Sequence, residues 1–456
     1  MLQKEIQSQM ALAVKRSILN EQQKGIIRKT LCIQPKDSKR NKKRYANAKD
    51  PIHVYETDEE YIHLPYKFGA ALMQVFPNED IEFPKVHMNY TGTLRDYQDP
   101  IMHQAWEQLE MHGTTTLNLH TGWGKTLAGA YLASRYDLMT CVLIPNKPLI
   151  KSWRTTFERW TDAKIWVVGQ KIPPVANVVI CLITSVHKIP VEYKKLIGTL
   201  IIDEAHTACT GIRASAMLGF HPRYIIAETA TLEKGDGTER IIELICGTHS
   251  IVVRPTKRLE VYRINTGYKP MREYRVTGET AYDKLQKDIS LCEERNDIIL
   301  DLVKEHHKEH KILVMTHLTE HCELIYECLN KLDYDVAFLY GNAKSYKDSN
   351  ILVGSISKIG TGFDPETFCE EFDGRAMDML ILCSSIKKWQ KLEQVVGRVC
   401  RADQPIIYHL IDDDTIITSH WYGSRDEMGN KRWYEQNLNG GVLEIVNKYK
   451  KSDKSN

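Results

Sequence analysis

A chain of 456 residues has room for about three domains at roughly 150 residues each, which excludes a peptide or a disulfide-stapled mini-domain. Hydrophobic residues at 42% and charged residues at 26% sit near the globular average, so a largely disordered, collagen-like or coiled-coil chain is excluded too. The 61 basic and 59 acidic residues leave a net charge of +2, and no global basic field announces a nucleic-acid partner.

The first 88 residues lack any regular alternation of strand and helix patterns and are expected to form an accessory region, 1–88. Within it Lys36, Lys39, Arg40, Lys42, Lys43, Arg44 and Lys49 crowd one stretch. Such a run suits phosphates or a solvated arm. The opening MLQKEIQSQMALAVKRSIL has no apolar h-region, and nowhere do about 18 uncharged apolar residues run together. The eleven cysteines include no C-x-x-C pair, which speaks against a disulfide framework or a four-cysteine zinc site. These features predict a soluble intracellular protein in a reducing compartment, with no membrane partner.

From about residue 90 short β-branched runs alternate with longer amphipathic stretches, the pattern of βαβ units around a parallel sheet. It occurs twice, which predicts an α/β fold with two parallel-sheet domains. The first set of strands is expected at 114–119, 139–145, 164–168, 178–184, 199–204 and 224–229. The second is expected at 311–316, 334–340, 350–355, 377–383 and 405–412. Between them the polar stretch 233–300, with Gly235 and Gly237, is expected to be a hinge plus the first elements of the second domain. The domains are placed at 89–255 and 256–425, followed by a basic tail, 426–456, with Lys448, Lys450, Lys451 and Lys454.

Three segments carry chemistry. In LNLHTGWGKTLAGAYLA the turn from His120 to Thr126 joins a strand to a helix predicted to begin near Lys125. Gly122 and Gly124 let the backbone approach an anion, and the helix N-terminus adds positive potential. Lys125 then reaches the β- and γ-phosphates and the Thr126 hydroxyl takes a Mg²⁺ position. The full G-x-x-x-x-G-K-[ST] pattern asks for glycine where Leu119 stands. In TLIIDEAHTA an apolar strand ends in Asp203 and Glu204, at the sheet edge where α/β folds bind ligands. Asp203 can hold Mg²⁺ and Glu204 can polarise the attacking water; the plainer alternative is an acidic turn capping the next helix. In KLEQVVGRVCRADQP, Gln394, Arg398 and Arg401 fall at helical spacing, and a guanidinium brought to a γ-phosphate is an arginine finger; in isolation the segment reads as a surface helix.

Together TGWGKT, DEAH (203–206), TAT (229–231) and QVVGRVCR (394–401) resemble the superfamily 2 helicases and translocases. LRDYQ (94–98), IPNKPLIKSW (144–153), ITSVH (183–187) and GTGFD (360–364) support the likeness, which spans roughly 94–412. It implies two RecA-like domains with ATP and Mg²⁺ bound between them and nucleic acid across both. On these matches Gln98 reads adenine, while His120, Thr121, Gly122, Trp123, Gly124, Lys125 and Thr126 hold the phosphates. Asp203 and Thr126 hold the metal, Glu204, Gln394, Arg398 and Arg401 act in catalysis, and His206, Thr229 and Thr231 couple hydrolysis to movement. Nucleic acid falls to Pro145, Asn146 and Lys147, to Thr184 and Ser185, to Thr316 and His317, and to Gly360 and Thr361.

DEAH points to the DEAH-box group. The GRVCR ending, the LRDYQ opening and the ERNDIILDLV run look closer to the DNA-directed group, and the chain size is similar to that of the poxviral transcript-release helicase and its relatives in large DNA viruses. The expected partners are DNA, or RNA, and a transcription or replication complex. Two alternatives stay open: an ATPase uncoupled from nucleic acid, and a binding scaffold without turnover.

Overall fold

The computed structural model describes residues 6–8, 11–34, 51–75, 82–173, 175–210, 213–214, 217–220, 222–229, 240–360, 363, 365–424 and 427–447. The basic run Lys36–Lys49, the lysines from Lys448 onward, Gly235, Gly237, Thr231 and Thr361 lie outside the described residues. The chain divides into two units, 1–119 with 123–253, and 254–456 with 120–122.

The first unit begins with a four-stranded antiparallel sheet. Its strands are β1 (Ile6–Ser8), β2 (Leu12–Lys15), β3 (Glu56–Thr57) and β4 (Tyr61–Leu64), in the order β1-β2-β4-β3. Helix α1 (Glu21–Leu31) opens with a capping box, in which Asn20 accepts from the Gln23 amide and the Gln23 side chain accepts from the Asn20 amide, and α2 (Tyr66–Met73) follows β4. Leu12, Val14, Ile27, Leu31 and Leu64 are buried in the same cluster as Cys141, Leu143, Leu200 and Ile202, so this accessory layer covers one face of the sheet that follows.

That sheet is wholly parallel. Its strands are β5 (Thr114–Leu119), β6 (Met139–Ile144), β7 (Ile165–Val167), β8 (Val178–Leu182), β9 (Ile197–Ile202), β10 (Tyr224–Thr229) and β11 (Ser250–Val253), in the order β11-β5-β10-β9-β6-β8-β7. Successive residues of β6 face opposite clusters: Cys141 and Leu143 go to the accessory layer, Val142 and Ile144 to the helices of the other face. Burial on both faces is what makes each central strand a continuous apolar run. On the second face α3 (Asp99–His112), α4 (Lys125–Ser134) and α5 (Pro148–Trp160) supply Met102, Ala128, Leu132, Trp153 and Phe157.

The second unit repeats the design. Its strands are β12 (Glu260–Asn265), β13 (Ile312–Thr316), β14 (Val336–Leu339), β15 (Ile351–Ser355), β16 (Met379–Leu382), β17 (Ile406–Ile411) and β18 (Val442–Val446), in the order β14-β15-β13-β16-β17-β12-β18, all parallel. Helices α6 (Tyr282–Leu291), α7 (Glu293–His306), α8 (Thr319–Lys331) and α9 (Trp389–Val396) follow the strands, and α10 (Thr415–Tyr422) and α11 (Asn430–Asn437) complete the layers. Leu313 and Met315 enter one core, Ile312 and Val314 the other.

Two expectations are corrected. Residues 430–446, placed in a basic tail, form α11 and the edge strand β18, which pairs with β12 from Glu260↔Val442 to Ile264↔Val446. The stretch 233–300, expected to be a hinge plus the first elements of the second domain, does begin that domain with β12 but also carries β11, an edge strand of the first sheet. Among the described residues no helix is long and apolar enough to cross a membrane.

Candidate nucleotide site and nucleic-acid residues

Because both sheets are parallel, the segments that follow their strands emerge along one rim of each. On the first sheet that rim carries the phosphate loop after β5, Pro145–Lys147 after β6, Thr184 and Ser185 after β8, Asp203 and Glu204 after β9, and Thr229 at the end of β10. Ligands of open α/β sheets bind at this rim.

In the phosphate loop Gly122 and Gly124 have φ of 87° and 104°, a region that glycine enters without strain. A Cβ on Gly124 would stand 2.9 Å from Gln98 Nε2, so the turn has space only for glycine. The helix begins at Lys125 as expected. Gln98 is buried and braces the loop: its Nε2 donates to the Trp123 carbonyl at 3.0 Å and its Oε1 accepts from the Arg95 amide at 3.0 Å. Each end of that amide retains capacity for one more hydrogen bond. The Trp123 ring is core, buried with Leu119 and Trp153, and offers a ligand only backbone. His120 Nδ1 lies 3.0 Å from the Thr121 carbonyl. Lys125 Nζ donates to the Leu119 carbonyl at 3.1 Å.

Asp203 is buried. Its Oδ2 accepts from Trp153 Nε1 at 2.7 Å and its Oδ1 from the Glu204 amide at 2.7 Å. Burial, then the adjacent Glu204 charge, push the carboxyl up to about 7 against the opposing pull of the Trp153 N–H and Lys125. Glu204 takes a left-handed backbone (φ 47°, ψ 51°), which a non-glycine residue adopts at a cost. It occupies the N-cap position of the short helix Ala205–Ala208 but makes no side-chain capping bond, so the plain capping alternative does not describe it. Its Oε2 lies 3.3 Å from His206 Nδ1, which is 2.9 Å from Thr229 Oγ1. His206 therefore bridges the acid pair and the threonine of β10.

Two residues in this neighbourhood were not foreseen. Trp153 reads in sequence only as an apolar helix position. Glu228, one residue before the TAT run, is fully buried, with the Gly129 backbone amide facing its carboxyl. Burial, then the charge of Asp203, hold it well above the usual carboxylate range. A Cβ built on Gly129 of α4 would meet its Oε1 at 2.5 Å and the Trp153 ring at 2.8 Å.

On the second unit Gln394 lies in α9, but the expected helical face does not continue to the arginines. The helix stops at Val396, and Arg398 and Arg401 follow in turns closed by Val399 N to Val396 O and Ala402 N to Val399 O. Arg398 Nη1 donates to the Phe363 carbonyl at 2.6 Å and its Nη2 to that of Gly360 at 3.4 Å. Gly360 is thus a buried acceptor; a Cβ there would strike the Ile356 carbonyl at 2.3 Å. Thr316 is fully buried with its hydroxyl donating to the Leu318 carbonyl at 2.9 Å, which corrects its expected place on a strand of nucleic acid. His317 is exposed, and its amide donates to Ser384 Oγ at 3.2 Å.

The residues present fit a nucleoside triphosphate and its metal. A glycine cradle, a lysine and a buried carboxylate pair share one rim. Among the described residues no three His, Cys, Asp or Glu side chains form a group that could hold a metal ion.

Residues 91–234 match the family described as Type III restriction enzyme, res subunit. The chain is similar to the protein named "Putative helicase 161L" of Invertebrate iridescent virus 6, at 26% identity over 82% of this chain and 88% of that one. It is also similar to "Transcript termination protein A18" of Cowpox virus (strain Brighton Red), at 26% identity over 63% of this chain and 62% of that one. Across these matches the chain is similar to superfamily 2 helicases. Its fold is shared with S. cerevisiae Dbp5 bound to RNA and ADP BeF3, with a TM-score of 0.52 and 12% identity over 76% of this chain and 89% of that one. The two parallel sheets are RecA-like domains.

Proposed function

We propose that this chain hydrolyses ATP and couples the reaction to movement on nucleic acid, with DNA as the favoured track. The observation that carries the reading is the Lys125, Asp203 and Glu204 grouping at one sheet rim, with His206 tying the acid pair to Thr229. Glycine-loop amides and Lys125 hold the phosphates, and Asp203 with the Thr126 hydroxyl would hold Mg²⁺. When bound, the metal neutralises phosphate charge. Glu204 takes a proton from the attacking water. In the same reading Gln394, Arg398 and Arg401 steady the charge on the γ-phosphate, and a loss of turnover in Arg398→Ala with ATP affinity retained is the result expected of them.

Asn146, Lys147, Thr184, Ser185 and His317 are assigned to the sugar-phosphate backbone, which positions a strand without reading its sequence, whereas Pro145 is buried and, like Thr316, leaves that set. The name of the poxviral relative favours a place in viral transcription. The deciding experiment is ATP turnover across a panel of single- and double-stranded DNA and RNA. Stimulation by DNA supports the reading as stated, stimulation by RNA alone changes the track, and flat turnover overturns the coupling.

A further inference from the structure

Strand β14 closes one side of the second sheet. Among the described residues it pairs only with β15, from Val336↔Ile351 to Leu339↔Gly354, and it stands last in the strand order. Its far edge therefore carries backbone N–H and C=O groups with no strand beside them. Such an edge is commonly blunted by a lysine, a proline or a bulge. VAFL has no charge and no proline, and its register runs without a break.

The side chains of β14 divide between two faces. Ala337 and Leu339 are buried in one core, whereas Val336 and Tyr340 pack on the other, against the cluster that holds Ile325 and Leu329 of α8. Strand alternation puts Phe338 on that second face, where it remains 39% exposed. The Tyr326 ring of α8 stands edge-on to Phe338 at 4.9 Å, and the Tyr340 ring is also 4.9 Å away. An aromatic patch thus adjoins the open edge.

Charge narrows the partner. Glu320, Glu323 and Glu327 are exposed on α8, and among the described residues none of them forms an ion pair. Burial, then the Glu323 carboxylate, push the Tyr340 phenol up to about 12, with Glu327 adding to the effect, so both acids stand near that ring. Glu323 and Glu327 also occupy an i,i+4 spacing, at which like charges cost a helix stability. A cationic partner would turn that cost into a gain.

We propose that the free edge of β14 is a docking site for an extended, lysine- or arginine-rich segment of a partner protein, which joins the second sheet as a further strand. Main-chain bonds to the edge give such a complex its affinity, and alternate side chains give it specificity. On the Phe338 face the long basic stems lie across the rings while their cationic heads reach Glu323 and Glu327. A second copy paired edge to edge would bring these acids toward their own counterparts, and a nucleic-acid backbone would meet them as like charges. The acids therefore single out a basic peptide.

The probe is a short labelled peptide of alternating lysine and valine, added to the full chain and followed by fluorescence anisotropy. Binding should saturate and should slow amide hydrogen exchange at 336–339. Glu323→Lys/Glu327→Lys, which alters only exposed positions, should weaken binding by about tenfold or more, and Phe338→Ser should do the same. A proline at the centre of the peptide removes a main-chain donor and should also weaken binding by about tenfold. Equal binding of the proline peptide marks mere adhesion to a charged surface and overturns strand addition. Undiminished binding by the charge-reversed variant overturns the proposal as well. A wild-type chain that sediments as a dimer, and as a monomer once Phe338→Ser is introduced, gives the edge to a second copy and overturns it. So does a loss of DNA affinity in Phe338→Ser with peptide binding intact, which would give the face to nucleic acid.

Discussion

Trp153 reaches from α5 to donate its indole N–H to Asp203 Oδ2 at 2.7 Å, with both side chains buried. Trp153→Phe keeps an aromatic ring and removes the donor, leaving a carboxyl oxygen without its partner. The expected result is a loss of about 1–3 kcal/mol in unfolding free energy. Without that N–H the carboxyl rises further, so the Mg²⁺ concentration for half-maximal ATP turnover should increase by about tenfold. Urea melts and a Mg²⁺ titration of turnover measure the two effects.

Glu204→Gln preserves size and tolerates the same left-handed backbone but cannot take a proton. Turnover should fall by about 10²–10⁴-fold while ATP and DNA affinities stay within a few-fold. An active Glu204→Gln protein in single-turnover assays would show that the water-activating role belongs elsewhere.

His206→Ala cuts the link between Glu204 and Thr229 without touching the phosphate loop. Turnover in the absence of nucleic acid should remain within about threefold, whereas stimulation by DNA should largely vanish, a split that simple loss of stability does not produce.

Gly129 lies inside α4, where alanine would ordinarily stabilise by about 1 kcal/mol. Here the added methyl meets the Glu228 carboxyl and the Trp153 ring. Overpacking of about 1–3 kcal/mol should outweigh the helix gain, so Gly129→Ala is expected to lower the urea midpoint. Gly129→Ala combined with Glu228→Ala should recover most of the loss.

His321 and His409 are buried and pushed down to about 3, chiefly by burial, with Arg295 and Arg263 adding to the effect. Folded, both are neutral; unfolded, they titrate near 6.5. Their contribution is therefore complete above about pH 6.5 and is lost as pH falls toward 3. At pH 5 each site should cost about 2 kcal/mol. Thermal melts from pH 8 to 5 should slope downward for the wild type, and His321→Gln/His409→Gln should flatten that slope.

The core strands were legible because burial on both faces turns each into an unbroken apolar run, as in TLII and KILVM. β11, β12 and β18 were missed: SIVV is short and half-exposed, and EVYRIN and VLEIV mix charges into strands at or near a sheet edge. The phosphate loop and acid pair were legible because their chemistry is local, one turn each. Trp153, some 50 residues from Asp203, leaves no such trace, since a donor to a buried acid and an ordinary core ring look alike in a helix pattern. Glu228 was hidden at the end of a strand, where an acidic letter suggests solvent. The helical face expected across QVVGRVCR does not hold, because the helix stops at Val396, two residues before Arg398.

Lys125 is at rest on the carbonyl of Leu119. Arrival of a triphosphate then exchanges one neutral acceptor for several anionic ones through the swing of a single side chain, with the cradle around Gly124 already shaped by Gln98. Fuel capture on this half should accordingly be fast and nearly free of rearrangement, which places the slow, ratcheting part of any cycle after loading and not during it.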